Sequence, residues 1–470
     1  MPRIHIEDTP QDIGKTVELA GWVDVRRDHG KLIFIDLRDE TGLVQMVVTP
    51  ANPSLHKEAD AVRPEWVIRV TGLIKERPEK MRNEKLPTGG IELEVATLEV
   101  LNQAETPPFD LAGDGYEIGE EIRLQYRYLD LRRTRLQNNI RFRARLLDAL
   151  RRHLIEKQFV EIETPYLTKS TPEGSRDFLV PSRMQPGKFY ALPQSPQQYK
   201  QFLMASGFEK YFQFARAMRD EDLRADRSFE HTQLDLEMSF VSREDILVFV
   251  EEMMIAVVEG LGYKVKEKPF PRFTYAEAMK QFGSDKFDMR TEEEKNAGVQ
   301  AFAWVTHFPF FEKTDAGGWT FTHNPFSSPT PEHIEKLLAG EIETVIADQY
   351  DLVLNGYEAG GGSIRAHKPE VLRRVLAVMG YSKEKIESDY GHMLRAFQYG
   401  TPPHGGIALG TDRIAMTLLG ENALREVQAF PMTAGGRAAI MDAPAEVSKE
   451  QLDELGLQLK PHKDKGTHGV

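Results

Sequence analysis

The sequence predicts an α+β protein in which a small β-barrel precedes a larger domain with an antiparallel sheet flanked by helices. Three observations support this class. Short segments rich in Val, Ile and Leu fill most of residues 15–101 and often alternate with polar positions. A stretch containing proline, glycine and acidic residues follows them. Beyond it, helical and extended patterns alternate along the rest of the chain.

Five extended segments are predicted in the first domain, at 16–24, 32–37, 43–48, 66–75 and 91–101. Five short strands over this length suit a closed barrel of the OB type, which binds single-stranded nucleic acid on one face. A small β-domain without that role is the alternative. The domain is predicted at 1–105, and a hinge that begins with Pro107 and Pro108 is predicted at 106–137.

The second domain, predicted at 138–445, opens with an apolar stripe at helical spacing. Ile140, Leu146, Leu150 and Leu154 fall on one face of a long helix. Residues 212–217 and 233–239 are predicted as paired strands, 246–261 as a helix, 351–357 as a strand and 411–419 as the last helix. The simplest arrangement is an antiparallel sheet backed by helices. The polar extension at 446–470 is expected to fray at its end.

Composition restricts the possible functions. Without cysteine, the chain has no disulfide, thiolate metal site or cysteine nucleophile. It has no apolar signal segment and no stretch near the roughly 18 apolar residues of a membrane span, so a cytoplasmic protein without membrane contact is expected. The net charge of −13 opposes indiscriminate binding to nucleic acid. Two local basic segments, 25–31 and 123–135, are candidates for such binding, although solvated surface is the simpler interpretation of each.

Three separate segments carry residues suited to phosphate chemistry. Arg219 and Glu221 lie between the two paired strands, where a guanidinium suits phosphate oxygens and a carboxylate suits the amine of adenine. The glycine-rich run 400–413 ends in Arg413 at a helix start, which favours anionic groups. Residues 162–177 combine a fixed turn at Pro165 with a polar loop suitable as a lid. Taken alone, the Arg219 segment is equally compatible with a salt-bridged surface hairpin.

Together these segments resemble the signature motifs of the class II aminoacyl-tRNA synthetases. Motif 1 contains Pro165, motif 2 has the Arg-x-Glu pattern of Arg219 and Glu221, and motif 3 ends in Gly-x-Asp-Arg at Arg413. The segments LPQSPQQYKQ at 192–201 and NGYEAGGGSIR at 355–365 are similar to those of bacterial-type aspartyl-tRNA synthetases. The resemblance covers residues 10–445 and includes the barrel. It implies ligation of L-aspartate to tRNA with ATP, by a homodimer with Pro165 at its interface.

The resemblance also implies a role for each matched residue. Arg219 would hold the α-phosphate, Glu221 the adenine amine and Arg413 the γ-phosphate, so that Arg219 and Arg413 support catalysis directly. The residues matched to ATP binding are Arg219, Glu221, His231, His323, Glu358 and Arg413. Those matched to aspartate binding are Glu173, Ser195, Gln197, Lys200, Gln233, Asp235 and Arg365. Of these, Lys200 and Arg365 would grip the side-chain carboxylate, which leaves the amide of asparagine poorly matched.

Magnesium and tRNA are the other implied partners. Asp351 and Glu358 match the carboxylates that hold Mg²⁺ near the phosphates. The implied reaction needs no enzyme nucleophile, because the aspartate α-carboxylate attacks the α-phosphorus and the 3′-hydroxyl of tRNA then attacks the aspartyl adenylate. The residues matched to anticodon contacts are Arg27, His29, Phe34, Gln45 and Glu92. A ring beside hydrogen-bonding groups suits splayed bases, although Phe34 is also compatible with the barrel core.

The match departs from the family at three places. The large domain that bacterial relatives insert into the catalytic core is absent, because 283–290 runs through a short polar link into 301–305. His231 stands where relatives commonly place a phenylalanine stacked on adenine, and an imidazole offers less apolar surface. Asn324 replaces the second of two histidines that often occur together, next to His323.

Three other functions stay open at this point. The first is a sister synthetase for asparagine or lysine, against which Lys200 and Arg365 argue. The second is a catalytically silent tRNA-binding paralogue, which intact motif residues disfavour. The third is a tRNA-independent amidating enzyme, which would not need the barrel. The sequence also leaves open whether asparagine tRNA is charged together with aspartate tRNA, which depends on contacts near His29 and Lys80.

Overall fold

The computed structural model describes residues 2–170, 173–315 and 317–460. The chain divides into two compact units, Met1–Asp110 and Leu111–Val470. Each unit buries apolar side chains of its own. Across the described ranges, no helix combines the length and the apolar character needed to span a bilayer.

The first unit is a closed barrel, as predicted. Its strands are β1 Thr16–His29, β2 Leu32–Arg38, β3 Leu43–Val48, β4 Val67–Glu76 and β5 Ile91–Asn102, joined in the order β1-β2-β3-β5-β4. Helix α1, Pro53–Ala61, lies between β3 and β4 in the chain. β1 runs past its predicted end at residue 24, because its pairing with β2 continues to His29 after a bulge between Val23 and Val25.

Alternation along β2 separates the barrel core from its surface. Ile33 and Ile35 are 2% and 0% exposed and belong to the core, whereas Phe34 between them is half-buried. Successive side chains of a strand point to opposite faces, so Phe34 lies on the outer face of the barrel. The interpretation of Phe34 as a core residue is therefore wrong.

The second unit is built on a mixed sheet. In chain order its strands are β6 Val160–Glu161, β7 Leu179–Pro181, β8 Phe189–Ala191, β9 Lys210–Met218, β10 Glu230–Ser239, β11 Lys264–Val265, β12 Arg272–Thr274, β13 Val299–Gln300, β14 Phe302–Thr306, β15 Phe311–Lys313, β16 Trp319–Phe321, β17 Gln349–Leu354, β18 Tyr357–Ile364 and β19 His404–Gly410. The main sheet has the order β12-β14-β17-β18-β19-β10-β9-β6. Its central strands pair antiparallel, as predicted, whereas the edge pairs β12–β14 and β6–β9 are parallel.

The second unit also contains α-helices, several of which flank the main sheet. They are α2 Glu120–Gln125, α3 Arg127–Asp130, α4 Thr134–Glu156, α5 Gln197–Ala205, α6 Arg243–Gly260, α7 Tyr275–Phe282, α8 Glu292–Asn296, α9 Ile334–Ala339, α10 Pro369–Val378, α11 Lys383–Phe397, α12 Thr411–Leu419 and α13 Lys449–Leu455. Leu146, Leu150 and Leu154 of α4 are fully buried and share a core with α6, so the predicted apolar stripe is present. Residues 461–470 of the predicted C-terminal extension lie outside the described residues.

The strand predicted at 351–357 is wrong in its bounds. β17 ends at Leu354 and β18 begins at Tyr357, and the two pair as an antiparallel hairpin. The turn residues Asn355 and Gly356 both have positive φ, at 51° and 92°. Asn-Gly favours this left-handed backbone in tight hairpins, so the turn has a clear local cause.

The basic segment 123–135 forms a buried ionic cluster, which contradicts its interpretation as solvated surface. Arg123, Arg127 and Arg133 are 5%, 1% and 1% exposed. All three approach the fully buried Asp130, at 3.1, 2.7 and 2.8 Å. Arg123 also contacts Glu426 at 3.0 Å. These cations are already paired inside the protein, so they are not available to nucleic acid. The predicted hinge at 106–137 thus contains α2, α3 and part of this cluster.

Candidate active site

A cavity of about 300 Å³ lies in the second unit and is lined from β10, β18, β19, α5, the first turn of α12 and the loop between β9 and β10. Every residue matched to ATP, aspartate or metal binding lines this one cavity. They are Glu173, Ser195, Gln197, Lys200, Arg219, Glu221, His231, Gln233, Asp235, His323, Asp351, Glu358, Arg365 and Arg413. The fold therefore gathers residues that are far apart in the chain around a single space.

Two buried cations line the cavity. Lys200 on α5 and Arg365 just after β18 are 1% and 2% exposed. Lys200 Nζ lies 2.9 Å from Asp235 Oδ1 and 3.3 Å from Glu237 Oε2. Arg365 Nε donates to Glu237 Oε1 at 2.8 Å. Buried charges require such partners, and the partners hold both cations in place.

Glu237 is a site residue that the sequence interpretation missed. It is fully buried, and although burial opposes ionisation, Arg365 and Lys200 lower the pKa of Glu237 to about 2. It shares a strand face with Gln233 and Asp235, because side chains two residues apart in a strand point the same way. That spacing, already visible in the sequence, was the signal that could have found it.

The carboxylate of Glu237 fits because the neighbouring strand has a glycine opposite it. Gly406 of β19 pairs with Glu237 in the sheet register. A methyl group on Gly406 would lie 2.2 Å from Glu237 Oε2 and 2.0 Å from the carbonyl oxygen of Leu236. Any larger residue at position 406 would therefore displace the group that fixes Lys200 and Arg365.

Two further arginines reach the cavity from other elements. Arg219 follows β9 directly, and its Nε donates to the carbonyl oxygen of Gln194 at 3.2 Å. Arg413, in the first turn of α12, donates to the carbonyl oxygens of Glu358 at 2.8 Å and Asp226 at 3.1 Å. Its Nε is buried without a hydrogen-bond partner among the described residues. An unpaired buried donor of this kind suits an anionic ligand.

Glu221 in the β9–β10 loop and His231 at the start of β10 also line the cavity. Glu221 accepts a hydrogen bond from Arg227 at 3.3 Å and lies in the loop, not on a strand. Burial, followed by the positive charge of Arg219, lowers the pKa of His231 to about 3. The His231 side chain is therefore a neutral aromatic ring at neutral pH, which is the form that stacks on a base without repelling nearby cations.

Asp351 and Glu358 face one another across the β17–β18 hairpin. A methyl group on Gly361 would lie 3.0 Å from Asp351 Oδ1 and 3.8 Å from Glu358 Oε1, so the two carboxylates converge over this glycine. Burial and the charge of Glu358 raise the pKa of Asp351. The described residues contain no group of three or more His, Asp or Glu side chains that would hold a metal by themselves. Two carboxylates still fit Mg²⁺, which usually takes its other ligands from phosphates and water.

The loop with Glu173 closes the side of the cavity. Ser195 donates its hydroxyl hydrogen to Glu173 Oε2 at 2.9 Å. The side chain of Gln194 accepts a hydrogen bond from the backbone N–H of Ser175 at 3.0 Å and donates one to the backbone carbonyl oxygen of Ser175 at 2.8 Å. The part of the predicted lid from Glu173 onward is thus fixed beside α5, whereas residues 171–172 lie outside the described residues.

His323 and Asn324 occupy different environments. The ring of His323 packs edge-on against Phe308, with 4.8 Å between ring centres, and burial lowers the pKa of His323. Asn324 also lines the cavity, but its side-chain oxygen accepts the backbone N–H of Phe326 at 3.0 Å. Asn324 therefore serves at least in part to shape the local turn.

The residues matched to anticodon contacts lie on the barrel, in the first unit. Arg27 pairs with Asp36 at 2.7 Å and sits opposite Phe34 in the strand register. The remaining matched residues contact one another: the rings of His29 and Phe34 are 6.2 Å apart, and Gln45 donates to Glu92 at 3.1 Å. Arg27 and His29 are exposed, whereas Phe34, Gln45 and Glu92 are half-buried, so these polar and aromatic groups lie at the barrel surface.

Comparison with known proteins gives consistent results. A family described as class II tRNA synthetases for D, K and N matches residues 119–434, and one described as OB-fold nucleic acid binding domain matches residues 17–101. The aspartate–tRNA(Asp/Asn) ligase of Rubrobacter xylanophilus is 41% identical, with 95% of each chain covered. The aspartate–tRNA ligase of Staphylococcus saprophyticus is 39% identical over 95% of this chain and 97% of its own. Both alignments exceed 570 positions, so these relatives have a long segment that this 470-residue chain lacks.

Solved structures share the fold. The asparaginyl-tRNA synthetase of Pyrococcus horikoshii complexed with asparaginyl-adenylate superposes with a TM-score of 0.74, at 24% identity, over 92% of this chain and 98% of that one. An aspartyl tRNA synthetase from Entamoeba histolytica has a TM-score of 0.73 at 22% identity. At this identity the similarity concerns the architecture and does not distinguish between amino-acid substrates.

Proposed function

Because the chain belongs to the class II tRNA synthetases of the D, K and N group, we propose that it is an aspartate–tRNA ligase that forms aspartyl adenylate from L-aspartate and ATP. The observation that carries this proposal is the cavity itself. It is lined by the buried cations Lys200 and Arg365 and also by Arg219, Arg413 and two carboxylates. The alternative of a catalytically silent tRNA-binding paralogue gains no support from relatives that are named as ligases.

The number of N–H donors on Lys200 and Arg365 favours aspartate as the ligand beside them. A guanidinium has five N–H donors and an ammonium three. Arg365 makes hydrogen bonds to Glu237 and Ser363 through three of its N–H groups, and Lys200 contacts Asp235 and Glu237. Donors therefore remain for a substrate carboxylate, which can accept all of them. The NH₂ group of asparagine would place its own N–H donors against the N–H donors of Lys200 and Arg365, which costs binding energy.

The first chemical step depends on positioning and charge. An oxygen of the aspartate α-carboxylate attacks the α-phosphorus of ATP, the bond from the α-phosphorus to the bridging oxygen breaks, and pyrophosphate leaves with that oxygen. Arg219 stabilises the charge on the α-phosphate and Arg413 that on the γ-phosphate. Glu221 accepts from the adenine amine, and neutral His231 stacks on the base. In the second step, the 3′-hydroxyl of the tRNA attacks the aspartyl carbonyl, and AMP is released.

Asp351 and Glu358 are the residues that would hold Mg²⁺. When bound there, the ion neutralises phosphate charge and supports departure of pyrophosphate. The convergence of both carboxylates over Gly361 supports this assignment. The cytoplasm, where tRNA and ATP meet, is the proposed location.

Amino-acid-dependent exchange of labelled pyrophosphate into ATP, without tRNA, tests the activation step. Aspartate is expected to support exchange, whereas asparagine and lysine are expected to support at least about a hundredfold less, because their side chains mismatch the donors of Lys200 and Arg365. Exchange with asparagine or lysine but not aspartate would contradict the proposal, as would no exchange at all. Charging assays with aspartate tRNA and asparagine tRNA then define which tRNAs accept aspartate. The names of relatives favour both tRNAs.

The outer face of the barrel is the proposed anticodon site. Replacing Phe34 by alanine is expected to lower kcat/KM for tRNA in aspartate charging by about tenfold to a hundredfold, because stacking on one base contributes roughly 1–3 kcal/mol. Pyrophosphate exchange should not change, since that reaction uses the cavity of the second unit. Phe34→Tyr retains the ring and should charge tRNA almost normally. Unchanged charging by Phe34→Ala, or equal losses in both assays, would contradict the role.

We also propose a homodimer through the segment after β6. Pro165 is exposed there, and the following Tyr166 and Leu167 are 49% and 51% exposed. Neighbouring exposed apolar side chains of this kind mark protein interfaces. Sedimentation equilibrium of the intact chain tests this proposal, and a monomer mass at micromolar concentration would contradict it.

A further inference from the structure

Lys286 places a positive charge beside the cavity residue Glu358, from a segment that the motifs do not include. Its Nζ lies 2.9 Å from Glu358 Oε2, the carboxylate that converges with Asp351. Lys286 belongs to 283–290, the segment that leads into the short polar link predicted where relatives insert a domain. Its side chain is 43% exposed and that of Glu358 is 30% exposed, so the ion pair is partly open to solvent.

The loop around Lys286 is held in place. The next residue, Phe287, is buried, and its ring stacks on Phe282 of α7 with 4.0 Å between centres and 9° between planes. Asp288 accepts two hydrogen bonds from the Arg290 guanidinium, at 3.0 and 2.8 Å. These contacts fix the backbone on one side of Lys286, so its side chain starts from a defined position.

Lys286 and Arg413 converge on the same residue. Arg413 donates to the backbone carbonyl of Glu358 at 2.8 Å, whereas Lys286 contacts its side chain. The contact with Glu358 uses one of the three N–H donors that an ammonium has.

We propose that Lys286 is a phosphate-binding residue that contacts the β- and γ-phosphate end of ATP, and the pyrophosphate leaving from it, beside Arg413. The proposal deepens the function assigned to the cavity and depends on it. A polyphosphate near Asp351 and Glu358 places negative charge next to two carboxylates, and a local cation offsets that repulsion. In the absence of nucleotide, the same ammonium neutralises Glu358 and keeps its carboxylate oriented toward the cavity.

Calorimetric titration of the intact chain with inorganic pyrophosphate, with and without Mg²⁺, tests this role at equilibrium. Lys286→Met and Lys286→Gln remove the charge, and each is expected to raise the Kd for pyrophosphate by about tenfold, the effect of losing one charge-assisted hydrogen bond. Lys286→Arg keeps the charge and should stay within about threefold of the wild type. The KM for ATP in aspartate-dependent exchange should rise in parallel, and the KM for aspartate should not.

Lys295→Met is the matched control. Lys295 is 39% exposed and pairs with Glu292 at 2.7 Å. The Lys295→Met variant therefore loses a similar surface ion pair away from the cavity, and it should bind pyrophosphate with the affinity of the wild type. Wild-type affinity in both neutral Lys286 variants would overturn the proposal, as would an equal loss of affinity for aspartate and pyrophosphate. Failure of the wild type to catalyse exchange would instead count against the proposed function, because the pyrophosphate titrations do not need catalysis.

Discussion

Replacing Arg365 by alanine is expected to lower kcat/KM for aspartate in pyrophosphate exchange by about a thousandfold or more. A site that binds its substrate through specific hydrogen-bond donors loses most of its affinity when those donors are removed. The buried polar groups that they contacted then stay unpaired. Here the substrate carboxylate would lose its guanidinium partner, and Glu237 would keep only Lys200. The KM for ATP should change by less than about threefold, since Arg365 is not among the residues matched to ATP.

Loss of a buried cation also destabilises a protein, so the effect on aspartate must be separated from unfolding. Arg243→Ala provides the control, because Arg243 pairs with Asp348 at 2.8 Å, is 26% exposed and lies outside the residues that line the cavity. It should lose stability but retain the KM for aspartate. Arg365→Lys, which keeps the charge without the fork, should fall between the wild type and Arg365→Ala. Full exchange activity in folded Arg365→Ala would refute the proposed grip on the carboxylate.

The second large effect is expected on stability, from Asp130→Asn. This substitution removes the carboxylate that three buried arginines share, and an uncompensated buried charge costs about 3–5 kcal/mol. Urea unfolding followed by circular dichroism should show this loss in the transition of the second unit. Asp148→Asn is the matched control on α4: Asp148 is 54% exposed, pairs with Arg152 at 2.9 Å, and should cost roughly 0.5 kcal/mol or less.

The same substitution should change how stability depends on pH. Burial opposes the ionisation of Asp130, but hydrogen bonds from Arg123 and Arg133 outweigh it and lower its pKa. A carboxyl with a lowered pKa in the folded state contributes stability above its unfolded pKa of about 4, and this contribution disappears as the pH falls through the folded value. Wild type should therefore lose stability steeply below about pH 4, and Asp130→Asn should lose less over that interval. Identical pH profiles would contradict this account.

Local patterns predicted the elements better than their arrangement. The barrel strands were predictable because apolar and polar residues alternate along them, as at Ile33, Phe34 and Ile35. The bounds of β17 and β18 were missed because the Asn355–Gly356 turn was included in one strand. The order of the sheet was not predictable in this way, since β10 pairs with β19 from a distant part of the chain. Such pairing is set by tertiary packing and not by local sequence.

Site residues could be predicted from the sequence where they stand in a motif, but not where only tertiary contacts bring them to the site. Arg219, Glu221 and Arg413 stand in recognisable motifs. Glu237 was detectable from its spacing along β10 but was overlooked. Lys286 has no such signal, because only the folding of its loop onto α7 brings its ammonium to Glu358. Residues 123–135 show a different error. Their charge suggests a surface segment, and only the positions of Asp130 and Glu426 show that the arginines are internal.

The ionic cluster around Asp130 also has a consequence for folding during protein synthesis. Arg123 and its partner Glu426 are 303 residues apart, and Arg127 donates to carbonyl oxygens of Arg425 and Gln428. The barrel has all its strands before residue 103 and can close as soon as it leaves the ribosome. In the second unit, Asp130 is translated together with its three arginines, but Glu426 and the carbonyl partners of Arg127 follow only when most of the chain has been translated. The complete cluster therefore forms late in the synthesis of the chain.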